Sequence, residues 1–329
     1  MREIIEKQKG LILVSLSPDR LVPNITELLR EAGENRPVLL STKAAEIEPV
    51  LDQIEISMGD PPFALLSRMP RLRWVQLWSA GADLIQRFPE LRDLPFRLCS
   101  ASGIHGQQLT EHVFGLILAW NRGFPAAFAA QKRREWLNTE DRLIRVLSGK
   151  TMLILGFGAI GEQIARTSLV FGMTAIGLRR TPSKDSAPPG VRLESAEKLR
   201  DFLPQADYVV NILPATPDTR HIFGEPEFCR MKPEALYINV GRGATTGEAA
   251  LIKALESKQI AGALLDVTEQ EPLPAGSPLW DMDNVILTSH YAGRHPEYGR
   301  LALDLALENL GRYVRGEPLK NPVDKNRGY

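Results

Sequence analysis

The sequence predicts an α/β protein with two domains, each built on a parallel sheet whose strands are joined by helices. Three observations support this fold class. The chain has 329 residues, enough for two hydrophobic cores. Strand-like and helix-like segments alternate along most of its length, which is typical of parallel sheets. The alternation also restarts at a glycine-rich stretch, TMLILGFGAIG, over residues 151–161.

The first hundred residues predict a sheet without a nucleotide motif. We expect strands over 11–17, 37–40, 54–57, 74–77 and 94–100, and helices over 23–30, 44–51 and 63–69. No G-x-G-x-x-G pattern occurs in this region, so it gives no indication of a second nucleotide site.

Two segments link the halves of the chain. Residues 107–120 are too apolar for a surface helix, so we expect a helix buried in the interior or between the domains. Residues 124–136, FPAAFAAQKRREW, combine aromatic residues, alanines and a basic cluster. Interfaces favour aromatic residues and arginine, so this arm predicts subunit contact in a homodimer, with a solvated loop as the alternative.

The second half predicts a complete dinucleotide-binding domain. Strand candidates cover 152–155, 174–178, 208–213, 235–240, 262–267 and 285–289, and 182–190 reads as a loop. Six strands match two β-α-β-α-β halves. We expect a final helix over 296–316 to return to the first domain. The predicted domains are therefore 1–102 with 294–329, and 103–293.

The glycine-rich stretch contains G-x-G-x-x-G between a strand and a helix, the Rossmann fingerprint. Gly156 permits a tight turn, Gly158 lets a pyrophosphate approach the backbone, and Gly161 allows close helix–strand packing. The helix that begins near Ala159 and Ile160 offers free N–H groups to phosphates. Tight-turn glycines without a ligand are the alternative interpretation.

The composition bears on possible partners, metal binding and localisation. Lys plus Arg and Asp plus Glu both total 40, so the charge gives no reason to expect nucleic acid or an anionic membrane as partner. The two cysteines, Cys99 and Cys229, form no metal or redox pattern, and we expect no metal. The apolar run 11–16 is too short for a signal-peptide core, and none approaches the roughly 20 residues of a membrane span. We expect a cytoplasmic protein.

Three ionisable residues follow predicted strands of the second domain. Arg242 follows ALYINV, Glu271 follows GALLDV, and His290 follows VILTS. In an open α/β sheet, ligands bind beyond the carboxyl ends of the strands, so all three are candidates for one crevice. Each has an ordinary alternative, namely a turn arginine, a surface glutamate and a hydrogen-bonded histidine.

These patterns together resemble the D-isomer-specific 2-hydroxyacid dehydrogenases, the family that includes glyoxylate/hydroxypyruvate reductases and phosphoglycerate dehydrogenases. The resemblance covers nearly the whole chain. The segments that carry it, in chain order, are SAGAD (79–83), TEH (110–112), GFGAIG (156–161), LPATPDTR (213–220), MKPEALYINVGRG (231–243), LLDVTEQEPLP (264–274) and NVILTSHYAG (284–293).

The resemblance implies a flavodoxin-like substrate domain beside the Rossmann domain, and it implies roles for single residues. Arg242 matches the catalytic arginine, Glu271 its acidic neighbour, with Glu269 as the less favoured choice, and His290 the general acid/base. The substrate-binding residues are Ser79, Ala80, Gly81 and Arg242. Asp266 matches a residue near the nicotinamide carboxamide, and Pro214 and Thr216 match the adenosine side. The cofactor-binding set comprises Gly156, Gly158, Ala159, Ile160, Gly161, Arg179, Arg180, Thr181, Leu213, Pro214, Thr219, Val240, Gly241, Asp266, His290, Ala292 and Gly293.

The end of the second strand predicts the cofactor. An NAD-binding fold has an acid about 20 residues after the glycine loop, whereas this chain has Arg179, Arg180 and Thr181. A guanidinium pairs with a 2′-phosphate, so we expect NADPH to be preferred over NADH, with Ser183 as a further hydroxyl donor. Two solvated arginines are the alternative.

The predicted reaction is hydride transfer between NADP(H) and a small 2-keto acid or D-2-hydroxy acid. Two alternatives stay open: a same-fold dehydrogenase of another substrate such as formate, and a dinucleotide-sensing protein similar to corepressors. Three residues depart from the common family pattern. Thr268 replaces an aromatic residue, Tyr291 a small aliphatic one, and Trp78 precedes the SAGAD loop, where it is either core or pocket wall.

Overall fold

In the computed structural model the chain divides twice, between Ile104 and His105 and between Arg294 and His295. The described residues are 9–138, 144–182 and 187–328. One unit consists of the chain up to Ile104 together with the chain from His295, and the other runs from His105 to Arg294. The sequence predicted the first boundary two residues earlier and the second boundary one residue earlier.

The first unit contains a parallel five-stranded sheet, as the β/α alternation predicts. Its strands are β1 (Leu11–Ser15), β2 (Val38–Leu40), β3 (Ile54–Gly59), β4 (Trp74–Gln76) and β5 (Arg97–Cys99), in the order β2-β1-β3-β4-β5. Every pairing is parallel. This order is the flavodoxin-like one, with its reversal between β1 and β3.

The second unit contains a parallel seven-stranded sheet. Its strands are β6 (Thr151–Leu155), β7 (Thr174–Arg179), β8 (Val191–Ser195), β9 (Tyr208–Asn211), β10 (Leu236–Asn239), β11 (Gly262–Leu265) and β12 (Val285–Leu287), in the order β12-β11-β10-β9-β6-β7-β8. Strand β6 pairs with both β7 and β9, so the strand order reverses there and opens a crevice at the carboxyl ends.

The α/β fold class is confirmed, but the predicted count of six strands in this domain is wrong. Strand β8 pairs with β7 along the sheet edge and follows directly on the predicted loop 182–190, of which residues 183–186 lie outside the described part. Only its first residue is buried. An edge strand with so few buried positions gives a weak hydrophobic pattern, which explains the omission.

Ten α-helices lie in the described residues, and they join or cover the strands. They are α1 (Ile25–Ala32), α2 (Ala44–Ile47), α3 (Leu84–Arg87), α4 (Gly106–Asn121), α5 (Phe124–Lys132), α6 (Ala159–Val170), α7 (Leu199–Phe202), α8 (Glu225–Phe228), α9 (Glu248–Glu256) and α10 (Tyr298–Val314). Helix α10 belongs to the first unit, where its Leu303, Ala306 and Leu310 pack with β1 and α1.

The central strand β6 shows how the second core is built. Met152 and Ile154 pack on one face with helices α4 and α6, and Leu153 and Leu155 pack on the other with α7 and α9. Because both faces are covered, the strand is apolar throughout rather than alternating. Among the described helices none alone is long and apolar enough to span a membrane, although the pair α4–α5, bent by 66°, passes that test together.

Candidate active site

The glycine loop connects β6 to α6 in a conformation that only glycine adopts freely. Gly156 has φ +96°, and a Cβ at this position would lie 3.1 Å from the carbonyl oxygen of Ile212. A Cβ on Gly161 would lie 2.9 Å from the Gly156 carbonyl oxygen. These two glycines therefore allow the tight turn and the close approach of α6 to the sheet.

Gly158 shows that the loop fits a dinucleotide phosphate. It is exposed, and a Cβ built on it meets no described heavy atom within 4 Å. Helix α6 begins at the next residue, Ala159, followed by half-buried Ile160. The N-terminal amide groups and the helix dipole favour a pyrophosphate at this position, with no side chain in its path.

Basic residues lie at the end of β7, where the sequence predicted recognition of the 2′-phosphate. Arg179, Arg180 and Thr181 are all exposed. The Arg180 guanidinium lies 3.1 Å from the Asp218 carboxylate, a partner that the sequence did not predict. Ser183 lies outside the described residues. The carboxylate offsets part of the positive charge offered to a phosphate at this edge.

The loop after β9 is stabilised by its own hydrogen bonds. The Leu213 N–H donates to Asn211 Oδ1 at 3.1 Å, and the Thr219 hydroxyl donates to the Pro214 carbonyl at 2.6 Å. The Thr216 N–H donates to Thr219 Oγ1 at 2.8 Å. These bonds fix the loop that carries the predicted adenosine-side residues.

The next loop begins after β10 with buried Val240 and Gly241 and then reaches Arg242. A Cβ on Gly241 would lie 2.8 Å from the backbone of Ile212, so this loop packs directly against the one after β9. The Arg242 carbonyl accepts a 2.6 Å hydrogen bond from Thr245 Oγ1, and its half-buried guanidinium donates to the Gly241 carbonyl at 2.9 Å. The backbone around the arginine is therefore firmly held.

Glu271 and His290 are in direct contact. Strands β11 and β12 are parallel neighbours, so the loops that follow them meet at one edge of the sheet. The Glu271 carboxylate lies 2.7 Å from His290 Nδ1, and its other oxygen accepts a 3.2 Å hydrogen bond from the Thr268 N–H. Their side chains are 37% and 47% exposed, which leaves the imidazole within reach of a ligand.

Glu269, the alternative acid, lies in a different pair. Its carboxylate contacts His221 Nε2 at 2.5 Å and accepts a hydrogen bond from the N–H of Glu248, the first residue of α9. Glu269 therefore ties the acidic loop to α9. Thr268, the residue in place of the expected aromatic, donates to the Gln270 carbonyl within the same loop.

Asp266 supports the loop that carries His290. Its carboxylate is buried at the end of β11 and accepts hydrogen bonds from the N–H groups of Tyr291 and Ala292 at 3.1 and 3.0 Å. A third donor is the Thr288 hydroxyl, at 2.6 Å. These three hydrogen bonds all come from the protein itself, and the predicted contact to a nicotinamide carboxamide stays a prediction.

Two polar residues near this loop received no role from the sequence. His112 on α4 places Nε2 3.0 Å from Thr288 Oγ1, and its ring meets the edge of Tyr291 with centroids 5.5 Å apart. Burial lowers the pKa of His112, an effect that the Asp266 carboxylate partly opposes. Both residues lie inside segments that carry the family resemblance. For His112 the sequence also offered a second signal, because it is a polar residue within an apolar helix.

The predicted substrate loop belongs to the first unit and follows β4. Ser79, Ala80 and Gly81 are half buried, and the Ser79 hydroxyl donates to the Gly81 carbonyl at 2.9 Å. Trp78 is fully buried in the core of that unit, where its carbonyl accepts from the Tyr298 hydroxyl. Of its two interpretations, core packing is the one the structure supports. Gly293 lies in the second unit, close to His105.

The described part of the chain offers no cluster of metal ligands. No group of three or more His, Cys, Asp or Glu side chains there is arranged to hold a metal ion.

Comparison with known proteins adds family information. Residues 114–292 match the family model for the D-isomer specific 2-hydroxyacid dehydrogenase NAD binding domain. The D-3-phosphoglycerate dehydrogenase of Methanocaldococcus jannaschii is 31% identical over 94% of this chain, which spans only 59% of that protein. The glyoxylate reductase of Aeropyrum pernix is 35% identical over 79% of each chain.

A solved structure extends the similarity to the whole fold. The NADPH-dependent glyoxylate/hydroxypyruvate reductase of Sinorhizobium meliloti, in complex with NADP and sulfate, superposes with a TM-score of 0.83. The two sequences are 30% identical, and the match covers 98% of this chain and all of the other.

Proposed function

The chain belongs to the D-isomer specific 2-hydroxyacid dehydrogenase family of oxidoreductases, and on that premise we propose that it reduces a small 2-keto acid to the D-2-hydroxy acid with NADPH. The proposed substrate class is glyoxylate, hydroxypyruvate or a similar 2-oxo acid. The observation that carries the proposal is the 2.7 Å contact between the Glu271 carboxylate and His290 Nδ1 at the carboxyl edge of the nucleotide-binding sheet.

This contact equips His290 as a general acid. With Nδ1 held by the carboxylate, Nε2 is the ring nitrogen left to give a proton to the substrate oxygen. The carboxylate also fixes the orientation of the ring. As negative charge develops on the substrate oxygen, the imidazolium neutralises it in the same step.

Arg242 is the proposed anchor for the keto acid. A guanidinium has a planar fork of donors that matches a carboxylate and also polarises an adjacent carbonyl. Its loop packs against the acidic loop, since a Cβ on Gly243 would lie 1.8 Å from the Thr268 carbonyl oxygen. A nicotinamide dinucleotide, when bound, supplies the hydride. The substrate role of Ser79, Ala80 and Gly81 stays a prediction.

The preference for NADPH rests on the residues after β7. In the described residues no acid ends this strand, and exposed Arg179 offers a guanidinium where a carboxylate would repel a 2′-phosphate. Arg180 is partly neutralised by Asp218, which makes Arg179 the stronger candidate. The S. meliloti reductase, described as NADPH-dependent, supports this choice.

The proposal is tested by cofactor oxidation with purified protein. Glyoxylate, hydroxypyruvate and pyruvate should each be assayed with NADPH and with NADH, and formate with NADP⁺ in the opposite direction. We expect turnover of at least one 2-keto acid, fastest with NADPH. Turnover of formate alone would indicate the other dehydrogenase, and tight dinucleotide binding without any turnover would indicate a sensor.

We also propose that the arm 124–136 forms the contact of a homodimer. In the described residues of this arm, Phe124, Phe128 and Trp136 are exposed, Trp136 at 93%. Exposed aromatic residues next to arginines are typical of interfaces.

The double change Phe128→Glu and Trp136→Glu tests this contact and should convert a dimer to a monomer in light scattering. Trp280→Ala removes another exposed tryptophan of this unit and should leave the dimer intact; a monomeric wild-type protein would contradict the proposal.

A further inference from the structure

The backbone of His290 requires support from its surroundings. Its φ of +53° lies in the left-handed region, which is uncommon for a residue other than glycine and is held here by neighbouring contacts. The His290 N–H donates to the Asp266 carbonyl at 2.8 Å. The next two N–H groups, of Tyr291 and Ala292, donate to the Asp266 carboxylate. Three consecutive amides therefore depend on one aspartate.

The Asp266 carboxylate in turn depends on Thr288. The aspartate is 2% exposed, and burying a carboxylate is costly unless its oxygens accept hydrogen bonds. The Thr288 hydroxyl has one proton and three acceptor atoms in reach, Asp266 Oδ1 at 2.6 Å, His112 Nε2 at 3.0 Å and the Leu265 carbonyl at 3.4 Å. The shorter bond to the charged acceptor is much the stronger, so the proton lies toward Asp266.

This direction of donation determines the role of His112. Because the Thr288 proton is directed to Asp266, the hydroxyl oxygen accepts a hydrogen bond from His112 Nε2, 3.0 Å away. Hydrogen bonds are therefore donated from His112 to Thr288 and from Thr288 to the Asp266 carboxylate, which also accepts from the N–H groups of Tyr291 and Ala292. Tyr291 closes the arrangement by placing its ring against His112.

We propose that His112 and Thr288 are positioning residues for the proton donor, acting through Asp266 to hold His290 in its left-handed conformation beside Glu271. The inference rests on the proposed reductase function and deepens it. Neither residue touches the reacting atoms in this scheme. Their loss leaves the catalytic groups present but looser, and a displacement of about 1 Å at such a site costs up to about 10²-fold in rate.

Thr288→Val is the sharpest test because valine keeps the shape and removes the hydroxyl. We expect kcat to fall roughly 10-fold with little change in KM, since His290 acts in the transition state more than in binding. Thr288→Ser restores the hydroxyl and should recover most of kcat. Ser168→Ala removes a buried hydroxyl from α6 in the same unit and serves as the control, with unchanged kcat. Equal kcat in wild type and Thr288→Val would overturn the inference.

A second measurement does not depend on turnover. Amide hydrogen exchange of a peptide covering residues 288–293 should become faster in Thr288→Val and stay slow in Thr288→Ser and Ser168→Ala. Unchanged exchange in Thr288→Val would refute the positioning role even in an active enzyme. If exchange is faster in Thr288→Val but the wild-type protein reduces no keto acid, the proposed function is refuted and the positioning role is not.

His112 offers an independent pair of variants. Glutamine places an amide N–H close to the position of His112 Nε2, whereas leucine fills similar space without a donor. His112→Gln should keep slow exchange at residues 288–293 and most of kcat, and His112→Leu should reproduce Thr288→Val. Identical behaviour of the two His112 variants would show that the donor is not what matters.

Discussion

Both units are parallel sheets covered by helices, yet the residues at their carboxyl ends differ. After β4 of the first unit come three uncharged residues, Ser79, Ala80 and Gly81, and the Ser79 hydroxyl bonds to the Gly81 carbonyl. After β10, β11 and β12 of the second unit come an arginine, a glutamate and a histidine, beside a glycine loop that fits phosphate. The same architecture therefore supplies a scaffold in both units, and the chemistry is determined by a few loop residues.

A closer comparison within the second unit involves two His–Glu pairs. His290 with Glu271 and His221 with Glu269 have contacts of 2.7 and 2.5 Å, and all four side chains are partly exposed. His290 lies directly beyond the end of β12, whereas His221 lies in the loop after β9, where its N–H donates to the Ala244 carbonyl. Similar local chemistry thus occurs at the position proposed to be catalytic and at one that joins two loops.

The largest expected effect is on kcat, and it distinguishes the His290–Glu271 pair from the His221–Glu269 pair. His290→Ala should lower kcat by roughly 10²-fold or more, because it removes the general acid. Cofactor affinity should be nearly unchanged. His221→Ala is the matched control and should retain turnover at some cost in stability. Steady-state kinetics on both purified variants check this, and near-normal kcat in His290→Ala would exclude the histidine from the mechanism.

The next effect tests whether the arginine after β10 binds the substrate. Arg242→Lys keeps the charge but loses the bidentate fork, so KM for the keto acid should rise roughly 10-fold and kcat should also fall. Arg220→Lys, in the neighbouring loop after β9, is the control. A variant that lost only dinucleotide affinity would make Arg242 a phosphate ligand instead.

A smaller effect concerns the cofactor end of the same sheet. Arg179→Asp should reduce the preference for NADPH over NADH by roughly 10-fold or reverse it, because it removes attraction and adds repulsion. Arg166→Asp, at an exposed position of α6, makes the same charge change away from the strand end. The ratio of kcat/KM for the two cofactors is the measurement, and equal values in the wild type would contradict the assignment.

The smallest expected effect is a difference in acid stability. Burial lowers the pKa of His112 below its ordinary value of 6.5, with Asp266 and Tyr291 as its polar neighbours. As the pH falls through 6.5, the unfolded chain therefore binds more protons at His112 than the folded chain does. The free energy of unfolding is therefore undiminished above that pH and decreases below it. His112→Gln does not titrate and should show a smaller loss of urea resistance between neutral pH and pH about 5.5. Parallel losses in both proteins would contradict this.

Much of the fold could be predicted from local patterns. The apolar runs of β6 and its neighbours and the glycines of the β6–α6 turn are constraints within about ten residues, because a strand covered on both faces must be apolar and a positive φ favours glycine. Strand β8 was missed because an edge strand is only partly buried and carries little of that pattern.

The hydrogen-bond partners of the charged residues could not be predicted from local patterns. The sequence placed Glu269 and Glu271 in one loop, with Glu271 as the candidate and Glu269 as the less favoured choice. The contacts show that each glutamate has a histidine of its own, one 48 residues away and the other 19. Which acid faces which base follows from strand order, and neighbouring strands in this sheet are not always neighbours in the chain.

By itself the sequence determined the α/β fold class, the glycine loop, the family and the three ionisable residues that follow β10, β11 and β12. Only the tertiary structure decided that Trp78 is core, that Arg180 pairs with Asp218, and that His112 lies against Thr288, 176 residues away. The physical reason is range: backbone propensity and burial periodicity act over a few residues, whereas hydrogen bonds between distant side chains exist only after the sheet has brought their elements together.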